Sequence, residues 1–127
     1  MPKTSHNAIN WFELPVLDLN RAQTFYEKLL DAPLRREPMG DKLLAVFPYD
    51  DAAVGGCLMA GAGVAAPSTS GALIYLNVGA SLDSALTRVA SAGGRVTTPK
   101  VQLPDGMGCF AHIADTEGNR VGLHAAA

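Results

Sequence analysis

The sequence predicts an α+β fold in which a module of one strand, one helix and three further strands is used twice. Shifting the chain by 62 positions aligns residues 14–37 with residues 76–99, and the two segments share one pattern although few residues are identical. Each contains an apolar strand ending in valine, a short polar turn and an amphipathic helix, and three strand candidates follow. At 127 residues the chain has the length of a single domain with its own core.

The first module opens with NWFELPVLDL at 10–19, which begins as an apolar strand. The helix after it is predicted from apolar residues at the spacing of a buried stripe, namely Ala22, Phe25, Tyr26, Leu29 and Leu30. This helix should stop at DAP, because Pro33 disfavours helical backbone in the residue before it. The segments LRRE, LLAVF and VGGCLM then predict three strands.

The segment GAGVAAPSTSG at 61–71 is rich in small and helix-breaking residues, which predicts a loop between the modules. The second module repeats the order of the first, and its helix has apolar residues at Leu82, Ala85, Leu86, Val89 and Ala90. The glycines of AGG at 92–94 accept a left-handed cap and should end that helix. Strands are predicted at RVTTP, MGCFAHIA and RVGLHA, with DTEGN at 115–119 as the last hairpin turn.

Two motifs carry a resemblance to a known family: D-L-x-R-A-x-x-F-Y after the first strand and D-x-x-G-N-x-x-G-L before the last. With them the chain resembles the vicinal oxygen chelate superfamily of glyoxalase I, extradiol dioxygenases and bleomycin-resistance proteins, and Trp-Phe-Glu is most similar to its glyoxalase-like branch. The resemblance implies an open, curved half-barrel around a ligand cavity, and a homodimer. Residues 1–127 would form one domain, with module one at about 8–60, a linker at 61–71 and module two at about 72–125.

Composition narrows the class of partner. Ten basic and twelve acidic residues give a net charge of −2 without runs of like charge, so neither nucleic acid nor an anionic membrane is an expected partner. MPKTSHNAIN lacks the apolar core of a secretory signal and no apolar stretch approaches the length of a membrane span, so we expect a cytoplasmic protein. Cys57 and Cys109 fit no zinc or redox spacing, and no disulfide is expected.

Metal-dependent members of the resembled superfamily place His, Glu or Gln ligands in the first and last strands of each module. Counting along the motifs puts those four positions on Trp11, Cys57, Leu73 and Gly122. Only Cys57 among them can bind a metal, and one thiol does not make a metal site. We therefore predict that the family metal is absent and that the protein has no cofactor.

A different metal site remains conceivable. Glu13 lies two positions beyond Trp11, so both side chains should point to one face of the strand. The turn at 115–119 should place His112 and His124 on one face as diagonal neighbours, about 7–8 Å apart. Glu13, His112 and His124 could then bind a metal, although hydrogen-bonded histidines or a pH-sensitive cavity wall are the simpler alternatives.

Glu13 could instead act in proton transfer. A carboxylate buried near Trp11 would have its pKa raised by desolvation, which suits a general base near neutral pH. The structural alternative is a carboxylate held by a backbone amide, or by Arg35 or Arg36 on a nearby strand.

An apolar cavity with a few convergent polar groups is the usual form of a small-molecule site. The residues predicted to line it are Trp11, Glu13, Phe47, Cys57, Met59, Tyr75, Asn77, His112 and His124. The first functional hypothesis is a metal-independent protein that binds a small organic ligand. The second is an isomerase or lyase acting next to a carbonyl, with Glu13 as base and His112 or His124 as acid or oxyanion stabiliser. The third is an interaction module whose own side chains fill the cavity.

Overall fold

A computed structural model describes residues 7–127, so the first six residues of the stretch MPKTSHNAIN lie outside the described part of the chain. The first module consists of β1 (Trp11–Pro15), α1 (Leu19–Leu30), β2 (Arg35–Met39), β3 (Lys42–Val46) and β4 (Gly55–Gly61). The second consists of β5 (Tyr75–Asn77), α2 (Leu82–Ser91), β6 (Arg95–Gln102), β7 (Cys109–Ala114) and β8 (Arg120–Ala125). The predicted doubled βαβββ order is confirmed.

Both helices begin at a side-chain cap. The Asp18 carboxylate accepts a hydrogen bond from the Arg21 amide at 3.0 Å, and the Ser81 hydroxyl accepts one from the Ser84 amide at 3.2 Å. The predicted stripe of α1 is buried except for the partly buried Leu30. In α2 the prediction was wrong for Ala90, which is exposed because it lies on the flank of the stripe.

The strands form two four-stranded sheets with the orders β1-β4-β3-β2 and β5-β8-β7-β6. In each sheet the first strand of the module runs parallel to the last, and the other pairings are antiparallel. The sheets do not close into a barrel, and the two modules give the open half-barrel that the resemblance implies. Both helices and one surface of each sheet share a single hydrophobic core. We call the opposite surface of each sheet its open face.

Several strand boundaries differ from the prediction, and three of them involve residues discussed below or a long extension. Phe47 lies just beyond β3, Leu73 precedes β5, and β6 continues to Gln102. Because β5 pairs with β8 over only three residues, the chain before Tyr75 is not part of the sheet. The longer β6 follows β7 across two irregularities, between Val96 and Thr98 and between Thr98 and Val101.

The turn at 115–119 joins the second module to the first through buried polar side chains. Glu117 accepts hydrogen bonds from the Leu17 and Asp18 amides at 2.9 and 2.8 Å and forms a bidentate ion pair with Arg21 at 2.6 and 3.0 Å. The carboxylate thus gives the Leu17 and Asp18 amides, just before α1, their hydrogen-bond partner, and the amides and Arg21 in turn compensate its buried charge. From the sequence, only the turn at 115–119 was predicted, without these contacts.

The same turn holds two further contacts between the modules. Tyr26 of α1 donates a 2.6 Å hydrogen bond to Asp115, and the Asn119 side-chain amide donates to the Pro15 carbonyl at 2.8 Å. Burial and the Asp115 carboxylate raise the pKa of Tyr26 well above its usual value, so its hydroxyl retains the proton that it donates. We call Tyr26, Asp115, Glu117 and Asn119 the turn network.

No helix within residues 7–127 is both long enough and apolar enough to cross a membrane.

Candidate functional site

The predicted site residues lie in three places rather than one. Phe47, Tyr75 and Asn77 line a cavity between the two modules. The open face of the first sheet carries Trp11, Glu13, Cys57 and Met59. Trp11 pairs with Gly55 and Glu13 with Cys57, and directly paired residues lie on the same face of a sheet. His112 and His124 belong to the open face of the second sheet, together with the side chains of Tyr75 and Asn77.

The cavity between the modules has a volume of about 590 Å³. Its walls come from the start of β1, the chain around the start of β4 and the segment 72–77, and they are largely apolar. Phe47, which is 5% exposed, reaches it from the shared core, where its ring packs against Phe12 and Tyr26. The volume falls in the range of sites that bind small organic molecules. The lining residues are Ile9, Phe12, Leu30, Phe47, Pro48, Val54, Gly55, Gly56, Ala72, Leu73, Ile74, Tyr75, Leu76 and Asn77.

On the open face of the first sheet, Glu13 is exposed. The prediction that Glu13 is buried beside Trp11 was therefore wrong. The general-base hypothesis depended on that burial, so it loses its support. Arg35 and Arg36 do not hold Glu13 either. They lie on β2, at the opposite edge of the sheet from β1, where Arg35 pairs with Glu37 and Arg36 donates to Gln23 and Asn20.

Glu13 nevertheless faces a ligand-sized space. It lines a pocket of about 300 Å³ with Lys42 of β3, Met59 of β4 and Val64 of the linker. Val64 also packs against the buried cluster of Leu44, Val46, Cys57 and Met59. The linker at 61–71 thus covers part of this open face, a contact that was not predicted from the sequence.

Cys57 is fully buried opposite Glu13. Burial raises the pKa of its thiol, a hydrogen bond with Trp11 lowers it, and the Glu13 charge raises it again, with a net increase. A thiol that keeps its proton is a weak nucleophile and a weak metal ligand.

On the open face of the second sheet, a hydrogen-bonded chain links side chains of β5, β7 and β6 across the sheet. The Tyr75 hydroxyl lies 2.8 Å from Nε2 of His112, and Nδ1 of His112 lies 3.1 Å from the Thr98 hydroxyl. The predicted register is confirmed: His112 is opposite Gly122, and His124 is opposite Phe110. His124 is engaged separately, through a 2.7 Å contact of its Nε2 with the Met107 carbonyl.

Trp11, Cys57, Leu73 and Gly122, the residues counted from the sequence as the family's metal positions, do not fit a divalent cation. The side chains of Trp11 and Leu73, and Gly122 without one, offer no metal-ligating atom. Burial raises the pKa of the Cys57 thiol, which keeps it protonated. The space above Gly122 is occupied, because a Cβ atom there would lie 2.4 Å from the Tyr75 ring. Among residues 7–127, no three His, Cys, Asp or Glu side chains are arranged to hold a metal, so Glu13, His112 and His124 do not form such a group within this chain.

Several residues of these surfaces escaped sequence analysis. Tyr49 packs edge-on against Trp11 at 5.8 Å, Thr98 completes the chain through His112, and Lys42 shares the pocket with Glu13. In a regular sheet, counting the register from His112 to the neighbouring strand would predict which residue of β6 lies opposite it. The pairing of β6 is irregular on both sides of Thr98, so this count does not identify Thr98.

Comparison with solved structures supports the same architecture. A mutant of glyoxalase I from Zea mays superimposes with a TM-score of 0.71 at 25% identity, over 91% of this chain and 45% of the maize protein. A glyoxylase/bleomycin resistance protein/dioxygenase domain from Frankia sp. EAN1pec gives a TM-score of 0.71 at 21% identity, over 95% and 93% of the two chains. The fosfomycin resistance protein FosX from Listeria monocytogenes gives 0.64 at 18%, over 94% and 93%.

This chain spans about 45% of the length of the maize protein. No curated protein matches it in sequence. The sequence profile of the Glyoxalase/Bleomycin resistance protein/Dioxygenase superfamily matches residues 8–123, nearly the whole chain. With the doubled module and the two motifs in their expected places, this match establishes that the chain belongs to that superfamily.

Proposed function

We propose that this protein binds a small, largely apolar organic ligand in the cavity between its two modules, without the family metal. The observation that carries the proposal is the cavity itself, about 590 Å³ of mostly apolar surface, whose lining includes Tyr75 and Asn77. A ligand of that kind gains most of its affinity from apolar burial, and the few polar groups orient it. The unsuitable donors at Trp11, Leu73 and Gly122 support the metal-free part of the proposal.

Filling the cavity should weaken binding. Leu73 lines the cavity and is half-buried, so Leu73→Trp adds an indole to the space that a ligand would occupy. After incubation with a small-molecule extract, native mass spectrometry should show a bound molecule on the wild type, at an occupancy reduced about tenfold in the variant. The matched control is Leu43→Trp at an exposed leucine outside the cavity, which should bind like the wild type. Equal occupancy in both variants, or no bound molecule on any of them, would contradict the proposal.

We also propose that two copies associate through the open face of the first sheet. Trp11 and Tyr49 pack together there, yet they remain 39% and 46% exposed, which is unusual for neighbouring large aromatic side chains on a monomer. Sedimentation should therefore give about twice the chain mass of 13.2 kDa at micromolar concentration. Tyr49→Lys should shift the protein to the monomer, because a charge would be buried without a partner. A wild type that sediments as a single chain would disprove the dimer.

A further inference from the structure

The open face of the second sheet presents three rows of side chains across its strands. One row runs from Arg95 through Ala114 to Arg120, and the next from Thr98 through His112 and Gly122 to Tyr75. The third contains Val101, Phe110, His124 and Asn77. Directly paired residues share a face, and successive rows lie about 7 Å apart along the strands.

The first row is positively charged. Arg95 and Arg120 are both exposed and flank the small side chain of Ala114. The three rows contain no carboxylate. Among residues 7–127, no carboxylate forms a salt bridge with either arginine. The first row therefore presents two exposed positive charges that are not held in salt bridges.

The middle row adds an oriented hydroxyl. The Thr98 hydroxyl can donate to Nδ1 of His112, which leaves the Nε2 proton to be donated to the Tyr75 oxygen and the phenolic proton free for a ligand oxygen. Burial and the nearby Arg120 charge lower the pKa of His112, so the neutral imidazole that this chain needs is favoured.

The third row supplies an apolar surface. Phe110 lies 5.8 Å from the Tyr75 ring and 5.4 Å from the His112 ring, and Val101 is 38% exposed beside it. A flat ring placed there would have its carboxylate one row away, beside Tyr75 and within reach of the long Arg120 side chain.

We propose that the open face of the second sheet is a binding site for a small aromatic carboxylate, with Arg120 and Tyr75 contacting the carboxylate and Phe110 contacting the ring. This site adjoins the cavity between the modules, and Tyr75 borders both, but the two lie on different sides of β5. The proposed site uses the hydroxyl of Tyr75, which points across Gly122 toward His112, whereas the cavity lies along the outer edge of β5.

Benzoate provides the test, with inorganic phosphate as an oxyanion without a ring. Titration followed by NMR of the histidine ring protons should show benzoate shifting the His112 signals at millimolar concentration. Arg120→Gln should weaken benzoate binding about tenfold and Tyr75→Phe several-fold, since each removes a direct contact to the charged group. The control Arg35→Gln, at an exposed arginine on the other sheet, should leave the affinity within about twofold of wild type.

This proposal would be overturned by an unshifted His112 in the presence of benzoate, by equal affinity in Arg120→Gln and the wild type, or by phosphate binding as tight as that of benzoate. Leu73→Trp should bind benzoate normally, so failure of the cavity proposal and failure of this one are distinguishable. Loss of benzoate binding in Leu73→Trp would instead show that the carboxylate enters the cavity between the modules.

Discussion

Replacing Glu117 with alanine is expected to lower the free energy of unfolding by about 3–5 kcal/mol, the largest effect of any single substitution considered for this protein. The Glu117 side chain is completely buried. It accepts hydrogen bonds from two backbone amides ahead of α1 and from Arg21, so its removal leaves the Leu17 and Asp18 amides without partners. Urea unfolding followed by circular dichroism measures the change.

Two further variants make this result specific. Glu117→Gln keeps the shape of the side chain but loses its charge, so we expect a smaller loss of about 2 kcal/mol. Glu37→Ala breaks the exposed pair between Arg35 and Glu37, in which N and O are 3.4 Å apart, and should change stability by less than about 0.5 kcal/mol. If Glu117→Ala unfolds at the same urea concentration as Glu37→Ala, the turn network does not stabilise the fold.

Acid should destabilise the protein through the same carboxylate. Burial raises the pKa of Glu117, but hydrogen bonds from Arg21, the Asp18 amide, Thr116 and the Leu17 amide outweigh it and lower the pKa from 4.5 to about 2. The unfolded chain therefore binds more protons than the folded one between these pH values. The stabilisation is complete above about pH 4.5 and is lost as the pH falls toward 2, a loss of about 3 kcal/mol from this group.

Comparing the wild type with Glu117→Gln isolates this contribution from that of other carboxylates. The wild type should lose about 3 kcal/mol more than the variant between pH 5 and pH 2, because glutamine does not titrate. Urea unfolding at a series of pH values gives both curves. Parallel curves would show that Glu117 titrates normally in the folded protein.

The fold was largely predictable because its signals are local and repeated. The apolar stripe containing Phe25 and Tyr26 identified α1, and the turn at 115–119 correctly placed His112 opposite Gly122. The predicted strand boundaries were wrong where pairing with a strand distant in sequence decides where a strand begins. Leu73 lies outside β5 because β8 pairs with only the three residues from Tyr75 to Asn77. No local sequence pattern indicates the length of that pairing.

For the candidate sites, the sequence correctly predicted only which residues share one face of a strand. Alternation along a strand correctly placed Trp11 with Glu13 and Tyr75 with Asn77. It could not indicate that Glu13 remains exposed while Cys57, directly opposite, is fully buried. Burial depends on which distant segments cover a face, and here the linker residue Val64 covers only part of it.

The sequence by itself therefore determined the doubled module, the order of its elements and the side-chain types on each strand face, because periodicity and turn chemistry are properties of short segments. The prediction that unsuitable donors occupy the positions of the family metal also comes from the sequence alone, and it stays a prediction. Tertiary structure alone decided that the predicted site residues divide among a cavity and two open faces, and that Glu117 joins the modules. These outcomes depend on contacts such as that of Glu117 with Leu17, 100 residues apart, which arise only when the modules pack together.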